Sequence, residues 1–359
     1  MPLDESQLIT QAQAINEALA ISMAQDENVV VIGEGVPDPK GIFGTTLGLA
    51  QKFSDRVFDM PVSENGMTGV CIGAALSGMR PVMVHQRIEF ALLAMDQLIN
   101  NAAKWNYMFD GQNSVPLVVR LIIGRGWGQG PQHSQSLQTL FAHIPGLKVV
   151  MPVTARDAKG MLITAIEDDN PVIFIEHRWL HSVSGQVPQG YYTTPLDKAK
   201  IVRQGQHVTI AAFSYMVLES LQAAEVLEAH GINLEVIDMR SVRPLDIDTV
   251  MGSLDKTGRL VVADTGHVTN SIAAELIAKT MEEGFQLFQA APVRIASPDF
   301  PVPTSHYAAK DYYPGALDIA RAAMKILSID DRLLIENVDK KLFRDTAKDV
   351  PNPEFKGPF

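Results

Sequence analysis

Three short stretches of this 359-residue chain carry residue types in spacings that can do chemistry. The first is Ser63-Glu64-Asn65-Gly66, which opens a segment rich in small residues: Gly66, Gly69, Gly73, Ala74, Ala75 and Gly78. A carboxyl at the start of such a helix has two uses. It complements the helix dipole, as first-turn acids commonly do, or, if buried, it serves as a general acid–base. Ser63 is the expected N-cap. Burial would raise the Glu64 pKa and the helix N-terminus would lower it. The second stretch is Arg125-Gly-Trp-Gly-Gln-Gly-Pro-Gln-His133-Ser, a loop of alternating glycines ending in a histidine. Such glycines adopt backbone angles closed to other residues. A loop after a parallel strand is where α/β sheets place ligands. The third is Asp168-Asp-Asn170-Pro, at the end of an apolar-periodic helix. Its unpaired carbonyls and the two polar side chains make either an oxygen cage for a hard cation or an ordinary Asx turn.

The elements that must position these groups alternate regularly. Short β-branched runs at 29–33, 81–85, 116–123, 148–152 and 171–176 are separated by helical patterns at 11–24, 64–77, 90–106 and 155–167. Positions Phe90, Leu93, Ala94, Leu98, Ala102 and Trp105 follow the i, i+3, i+4 rule. Alternation of this kind predicts βαβ units around a mostly parallel sheet. The turn-rich stretch 185–197 breaks the pattern. A second α/β block follows, with strands expected at 207–213, 234–238, 259–264 and 292–296 and helices at 216–229 and 271–282. The expected organisation is two doubly wound domains, 1–190 and 198–328, and a tail, 329–359. The apolar residues of the tail, including Leu333, Leu342 and Phe355, suit docking on a partner.

Composition narrows the class. Hydrophobic residues at 46% and charged residues at 20% describe a globular protein. A net charge of −11 argues against nucleic acid and anionic membrane surfaces as partners. The single cysteine, Cys71, rules out a disulfide framework and reads as a small packed hydrophobe. No apolar run approaches the roughly 20 residues of a membrane helix. The N-terminus lacks a secretion-signal pattern, so a cytoplasmic location is expected.

The segment Met60–Met67, the following Arg80-Pro81 and apolar strand, Phe90, and the Gln132-His-Ser-Gln135 end of the glycine loop together resemble the beta subunit of the thiamine diphosphate-dependent decarboxylase component of 2-oxo acid dehydrogenase complexes. Residues 231–264 are similar to the C-terminal domain of the same transketolase-like family, and the resemblance runs over 10–327. It implies a pyrimidine-binding domain followed by a transketolase C-terminal domain. It implies that Glu64 activates the cofactor, that Val62, Gln86 and Phe90 flank its pyrimidine ring, and that His133 binds substrate or transfers a proton. Relatives bind potassium through positions matching Leu117, Ala165, Ile166, Asp168 and Asn170, largely by backbone oxygens. The diphosphate and its magnesium ion would be held through a Gly-Asp-Gly start that this sequence nowhere contains. An alpha subunit would supply that half, in an assembly of two alpha and two beta chains, with a lipoyl acyltransferase as a further partner.

The resemblance has departures. The strand end Val84-His85-Gln86-Arg87 replaces the acidic or apolar pair of many relatives, so His85 and Arg87 would add positive charge at the pocket mouth. With Arg125 and Trp127 of the altered glycine loop, His85 is a candidate for shaping substrate choice. Asp264-Thr-Gly-His267 also departs from the family pattern, which weakens the case for a lipoyl core. The first expectation is therefore decarboxylation of a 2-oxo acid with transfer of the acyl unit. Ketol or acyl transfer in a biosynthetic pathway is the alternative, and a non-catalytic scaffold subunit is the third reading.

Overall fold

The computed structural model describes residues 6–124, 126, 128–344 and 347–351. The chain forms two compact units. The first contains residues within 1–124 and 140–196; the second contains 125–139 and 197–352. The segment 125–139 thus departs from the expected first-domain span of 1–190. Hydrogen bonds explain it: the Ser136 hydroxyl lies 2.8 Å from that of Thr265, and Gln138 Nε2 donates to Asp264 Oδ1 at 2.7 Å.

In the first unit the parallel strands Lys148–Val150, Val172–His177, Val118–Ile123, Arg80–His85, Val29–Gly33 and Val57–Phe58 lie side by side in that order. The central runs are buried along their whole length, as continuous Val/Ile/Leu sequences require when helices cover both faces. Helix Gln11–Gln25 starts at a capping box between Thr10 and Gln13 and packs on helix Ala155–Glu167, which Thr154 caps. Strands Ser6–Thr10 and Ser184–Pro188 pair antiparallel beside them. The second unit has strands in the order Val293–Ser297, Leu260–His267, Val208–Ala212, Leu234–Asp238 and Lys200–Arg203, parallel except for the last. Among the described residues no helix is long and apolar enough to cross a membrane.

One expectation is corrected. The single helix expected over 90–106 is three pieces: a 3-10 turn Ile88–Ala94, a π-helix Gln97–Ala102 and a short α-helix Trp105–Met108. A 3-10 turn aligns every third side chain, and Ile88, Ala91 and Ala94 are the buried ones. Leu93, assigned to the core by the helical rule, is 63% exposed. The tail, expected to lie on a partner, forms helix Arg332–Leu342, which packs on helices Met216–Glu228 and Ala316–Ile326 of its own unit. Val338 and Leu342 are its buried residues, and Asp339 receives both Arg321 nitrogens, at 3.0 and 2.7 Å. Residues 352–359 of that tail, including Phe355, lie outside the described residues.

One ion pair crosses the middle of the first sheet. Arg120 Nε and Nη2 donate to the two oxygens of Glu176 at 2.6 and 2.9 Å, and His181 Nε2 meets Glu176 Oε2 at 2.9 Å. Arg120 and Glu176 side chains have no exposure. Burial pushes the Glu176 carboxyl up, but the Arg120 charge and the hydrogen bonds from His181 and Arg120 outweigh it and hold the pKa at about 2. Breaking such a buried pair leaves an uncompensated charge. Glu176→Gln is therefore expected to lower unfolding free energy by about 3–5 kcal/mol in urea denaturation; a change under about 1 kcal/mol would contradict this role.

Asp264 ends the apolar part of strand Leu260–His267 and is fully buried. Burial raises its pKa to about 6, opposed by hydrogen bonds from the Gly266 amide and Gln138. Its folded pKa lies above its unfolded value, so the folded state binds the extra proton and stability declines as pH rises from about 4 to about 6. Asp264→Asn keeps an acceptor oxygen without the charge. Its Tm should exceed that of the unaltered protein at pH 7, with the gap closing by about pH 4.5; a gap constant with pH would refute the assignment.

Candidate active site

Glu64 stands where two constraints meet. Helix Glu64–Leu76 begins at it, and the residue is only 5% exposed. The expected Ser63 cap is absent: its side chain accepts no capping hydrogen bond, and its amide instead donates to the Pro61 carbonyl at 2.7 Å. The turn Met60–Ser63 is tight enough to keep Ser63 out of the capping conformation, with φ −156° and ψ 63°. Two further acids, not singled out in the sequence, lie beside Glu64. Glu34 follows strand Val29–Gly33 and Asp59 follows strand Val57–Phe58. Burial, then the charges of Glu64 and Asp59, raise the Glu34 pKa. Asp59 Oδ1 accepts from the amides of Gly35 and Met60, at 2.9 and 3.0 Å. Neighbouring carboxylates disfavour joint ionisation, and here the effect falls on Glu34, which the other two charges help to keep protonated to higher pH. The available signal was an acid between two glycines, Gly33-Glu-Gly35, directly after a strand.

The glycines are required by contact. A Cβ on Gly33 would overlap the Val84 carbonyl, so the strand Arg80–His85 and the Glu34 loop meet backbone to backbone. Gln86, at the end of that strand, donates from Nε2 to the Glu34 carbonyl at 3.0 Å. Glu34, Asp59, Glu64 and Gln86 therefore gather at the carboxyl edge of one sheet. Phe90 lies half-buried on the 3-10 turn that follows. Val62 is 81% exposed.

His85 is not at a pocket mouth. It is 3% exposed, and burial pulls its pKa down to about 4, so it is neutral at physiological pH. Its Nε2 is buried without a hydrogen-bond partner. The expected extra charge from this residue is thus withdrawn. Arg87 remains cationic although burial, the larger influence, lowers its pKa against the charge of Glu89.

The proposed potassium ligands occupy the end of helix Ala155–Glu167 and its neighbours. Asn170 donates its amide to Asp168 Oδ1 at 2.9 Å, the Asx turn that was the alternative reading. Arg80 Nη1 donates to the carbonyls of Ile166 and Asp168 at 3.1 and 3.2 Å, and Lys148 pairs with the Asp168 carboxylate. The Leu117 carbonyl accepts from Val172 at 2.9 Å. Arg80 and Lys148 already serve part of this oxygen set, so an ion bound here would share it with them.

In the second unit, His133 ends the short helix Gly130–His133 and is exposed. Gly126, Gly128 and Gly130 all have positive φ, as their alternation predicted. The reason lies opposite them. A Cβ on Gly126 would overlap the Asp349 carbonyl oxygen, and one on Gly130 would crowd Thr304. The C-terminal segment around Asp349 therefore straps this loop. Its carboxylate is held by His306 Nδ1 at 2.7 Å, and Lys348 reaches Asp318 at 3.4 Å. Arg125 and Trp127, the candidates for substrate choice, lie outside the described residues.

The sequence profile of "Transketolase, pyrimidine binding domain" matches residues 7–182, and that of "Transketolase, C-terminal domain" matches 197–319. The acetoin:2,6-dichlorophenolindophenol oxidoreductase subunit beta of Cupriavidus necator is 43% identical over 324 residues, covering 88% of this chain and 96% of that protein. The pyruvate dehydrogenase E1 component subunit beta of Rickettsia bellii is 40% identical over 322 residues, covering 89% and 99%. Among solved structures, a split-gene transketolase described as an inactive beta4 tetramer aligns with a TM-score of 0.72 over 89% of this chain and 98% of that one. At 22% identity it speaks for the fold alone. The two matched domains, with full-length relatives at 40% identity and above, place the chain in the transketolase-like family of E1 beta subunits, to which those of the pyruvate and acetoin enzymes belong.

Proposed function

We propose that this chain is the beta subunit of a thiamine diphosphate-dependent 2-oxo acid decarboxylase/dehydrogenase. An alpha subunit would complete the site with the diphosphate and its magnesium ion. The observation that carries the reading is the buried Glu64 carboxyl at a helix start, beside Glu34 and Asp59 at the carboxyl edge of the sheet. The residues fit the pyrimidine end of the cofactor: a buried acid, an aromatic face at Phe90, and the buried, unpartnered Nε2 of His85 nearby in sequence. When bound, thiamine diphosphate supplies the nucleophilic carbon and the electron sink for loss of carbon dioxide. Glu64 exchanges a proton with the pyrimidine ring. Phe90 offers its ring for stacking, and Gln86 and the Val62 backbone flank it. His133 is the chain's group for substrate binding or proton transfer.

An alpha partner is supported by helix Glu64–Leu76. Gly66, Val70 and Gly73 form an exposed face, and beyond its own helix backbone and chain neighbours nothing among the described residues lies within 4 Å of a Cβ placed on Gly73. Small residues there allow a second backbone to approach closely. We take the assembly to be two alpha and two beta chains. The acceptor is a lipoyl group in the dehydrogenase reading. Ketol or acyl transfer without a lipoyl core is the alternative, favoured by the interior bonding of Asp264 to Gln138, which removes that acid from the surface.

Carbon dioxide release from a panel of 2-oxo acids is the test, with this chain joined to its alpha chain, thiamine diphosphate and magnesium. Glu64→Ala should reduce cofactor-dependent release by at least about 100-fold. Unchanged release would leave the scaffold reading standing. Potassium we assign to a shared mode, in which the Leu117, Ala165 and Ile166 carbonyls each offer a second lone pair against the repulsion of Arg80 and Lys148. A saturable rise in Tm with KCl beyond that in equal NaCl is expected; superimposable curves would remove the ion.

A further inference from the structure

The loop that ends at His133 is costly to order. Gly126, Gly128 and Gly130 take positive φ, at 96°, 69° and 69°. Glycine loses more conformational freedom on folding than any other residue. Within the loop the Gln129 amide donates to the Gly126 carbonyl at 3.2 Å, which closes one turn. A loop of this composition needs contacts from outside to hold one shape.

Such contacts stand on both sides of His133. Downstream, Ser136 and Gln138 bond to Thr265 and Asp264. Upstream, two segments far away in sequence close on the glycines. The Asp349 carbonyl oxygen occupies the space that a Cβ on Gly126 would fill, so the two backbones touch directly. Thr304 lies against Gly130, its Oγ1 2.7 Å from the Cβ position. A side-chain pair ties these two segments together. His306 Nδ1 lies 2.7 Å from each carboxylate oxygen of Asp349. Thr304 is two residues before His306, so the contact at Gly130 and the contact at Gly126 are coupled through this pair.

Burial decides how much the pair matters. The Asp349 side chain is 3% exposed, that of His306 61%. A carboxylate can only accept, so Nδ1 donates. Without that donor Asp349 would keep a charge out of water with too little to offset it, and its segment would leave the loop. Lys348 with Asp318, at 3.4 Å and partly exposed, contributes little by comparison. Asp349 also lies beyond both matched family domains, so the clasp is an addition to them.

Resting on the function proposed above, in which His133 binds substrate or transfers a proton, we infer that His306 and Asp349 are positioning residues for His133. They clasp the upstream end of its loop and so present the imidazole in one place. They act through the loop and not on the reacting atoms.

The experiment uses the assembled complex of this chain with its alpha chain, thiamine diphosphate and magnesium, on a 2-oxo acid from the panel that releases carbon dioxide. His306→Ala is expected to lower kcat/KM by about tenfold to a hundredfold, because a misplacement of about 1 Å can cost that much. The thiamine diphosphate concentration for half-maximal rate should stay within about twofold. His306→Asn, whose amide nitrogen can take the place of Nδ1, should recover most of the loss. In a His133→Ala background, His306→Ala should cost less than about twofold, since the clasp then has nothing left to position. A chain ending at Arg344 lacks Asp349 but keeps helix Arg332–Leu342 and the Arg344–Glu219 pair, and it should behave as His306→Ala does. Equal losses with and without His133, or full activity in both clasp variants, overturn the inference while the decarboxylase reading stands. Absence of release from every acid with the unaltered complex overturns the decarboxylase reading instead. Amide hydrogen exchange then decides the clasp. Exchange across 126–135 should rise at least about tenfold in both variants while strand Val208–Ala212 is unaffected; unchanged exchange across 126–135 refutes the clasp.

Discussion

The charge buried between strands Val118–Ile123 and Val172–His177 governs much of what surrounds it. Arg120 and Glu176 cannot stay inside the sheet unless each satisfies the other, and their bidentate geometry fixes the relative height of two central strands. His181 is drawn onto the remaining carboxylate valence, which pins the turn leaving the second strand. Everything at that strand's carboxyl end inherits this position, including Arg178 and its stacking on Phe43.

A second constraint acts at the opposite strands. Gly33 and Val84 meet backbone to backbone, so the loop bearing Glu34 and the strand bearing Gln86 cannot move apart independently. Asp59, bonded to the Gly35 amide, ties in the third strand end. Glu34 and Asp59, from two adjacent strand ends, and Glu64, from the helix start after the second, are held in range partly by amide donors of the main chain, which cost little side-chain entropy. Preorganisation of this kind suits a group that must hold or pass a proton without rearrangement.

Legibility in the sequence followed the physics of each element. Val29–Gly33 and Leu234–Asp238 stood out because β-branched runs buried on both faces have no competing pattern. Glu64 stood out through its small-residue helix, and the glycine loop through its alternation. The segment after Arg87 misled because periods of 3 and 3.6 coincide over one turn, and only packing decides between them. Ser63 has the right residue type for a cap but is turned away by the Met60–Ser63 turn. His85 carried no signal that it would be buried and neutral. Glu34 is distant in sequence from Asp59 and Glu64, and its proximity comes from strand order, which local patterns do not contain. The tail helix was missed for a similar reason: its buried face is only Val338 and Leu342, too sparse to register without the Arg321–Asp339 pair.

The overlap that a side chain at Gly126 would make with Asp349 has a consequence for how the protein is made. The loop leaves the ribosome well before Asp349, which lies far downstream of it. The loop bearing His133 thus stays uncovered by that segment until it too has emerged. Synthesis itself sets the order of events at this loop: whatever must settle around it first has the intervening stretch of elongation in which to do so.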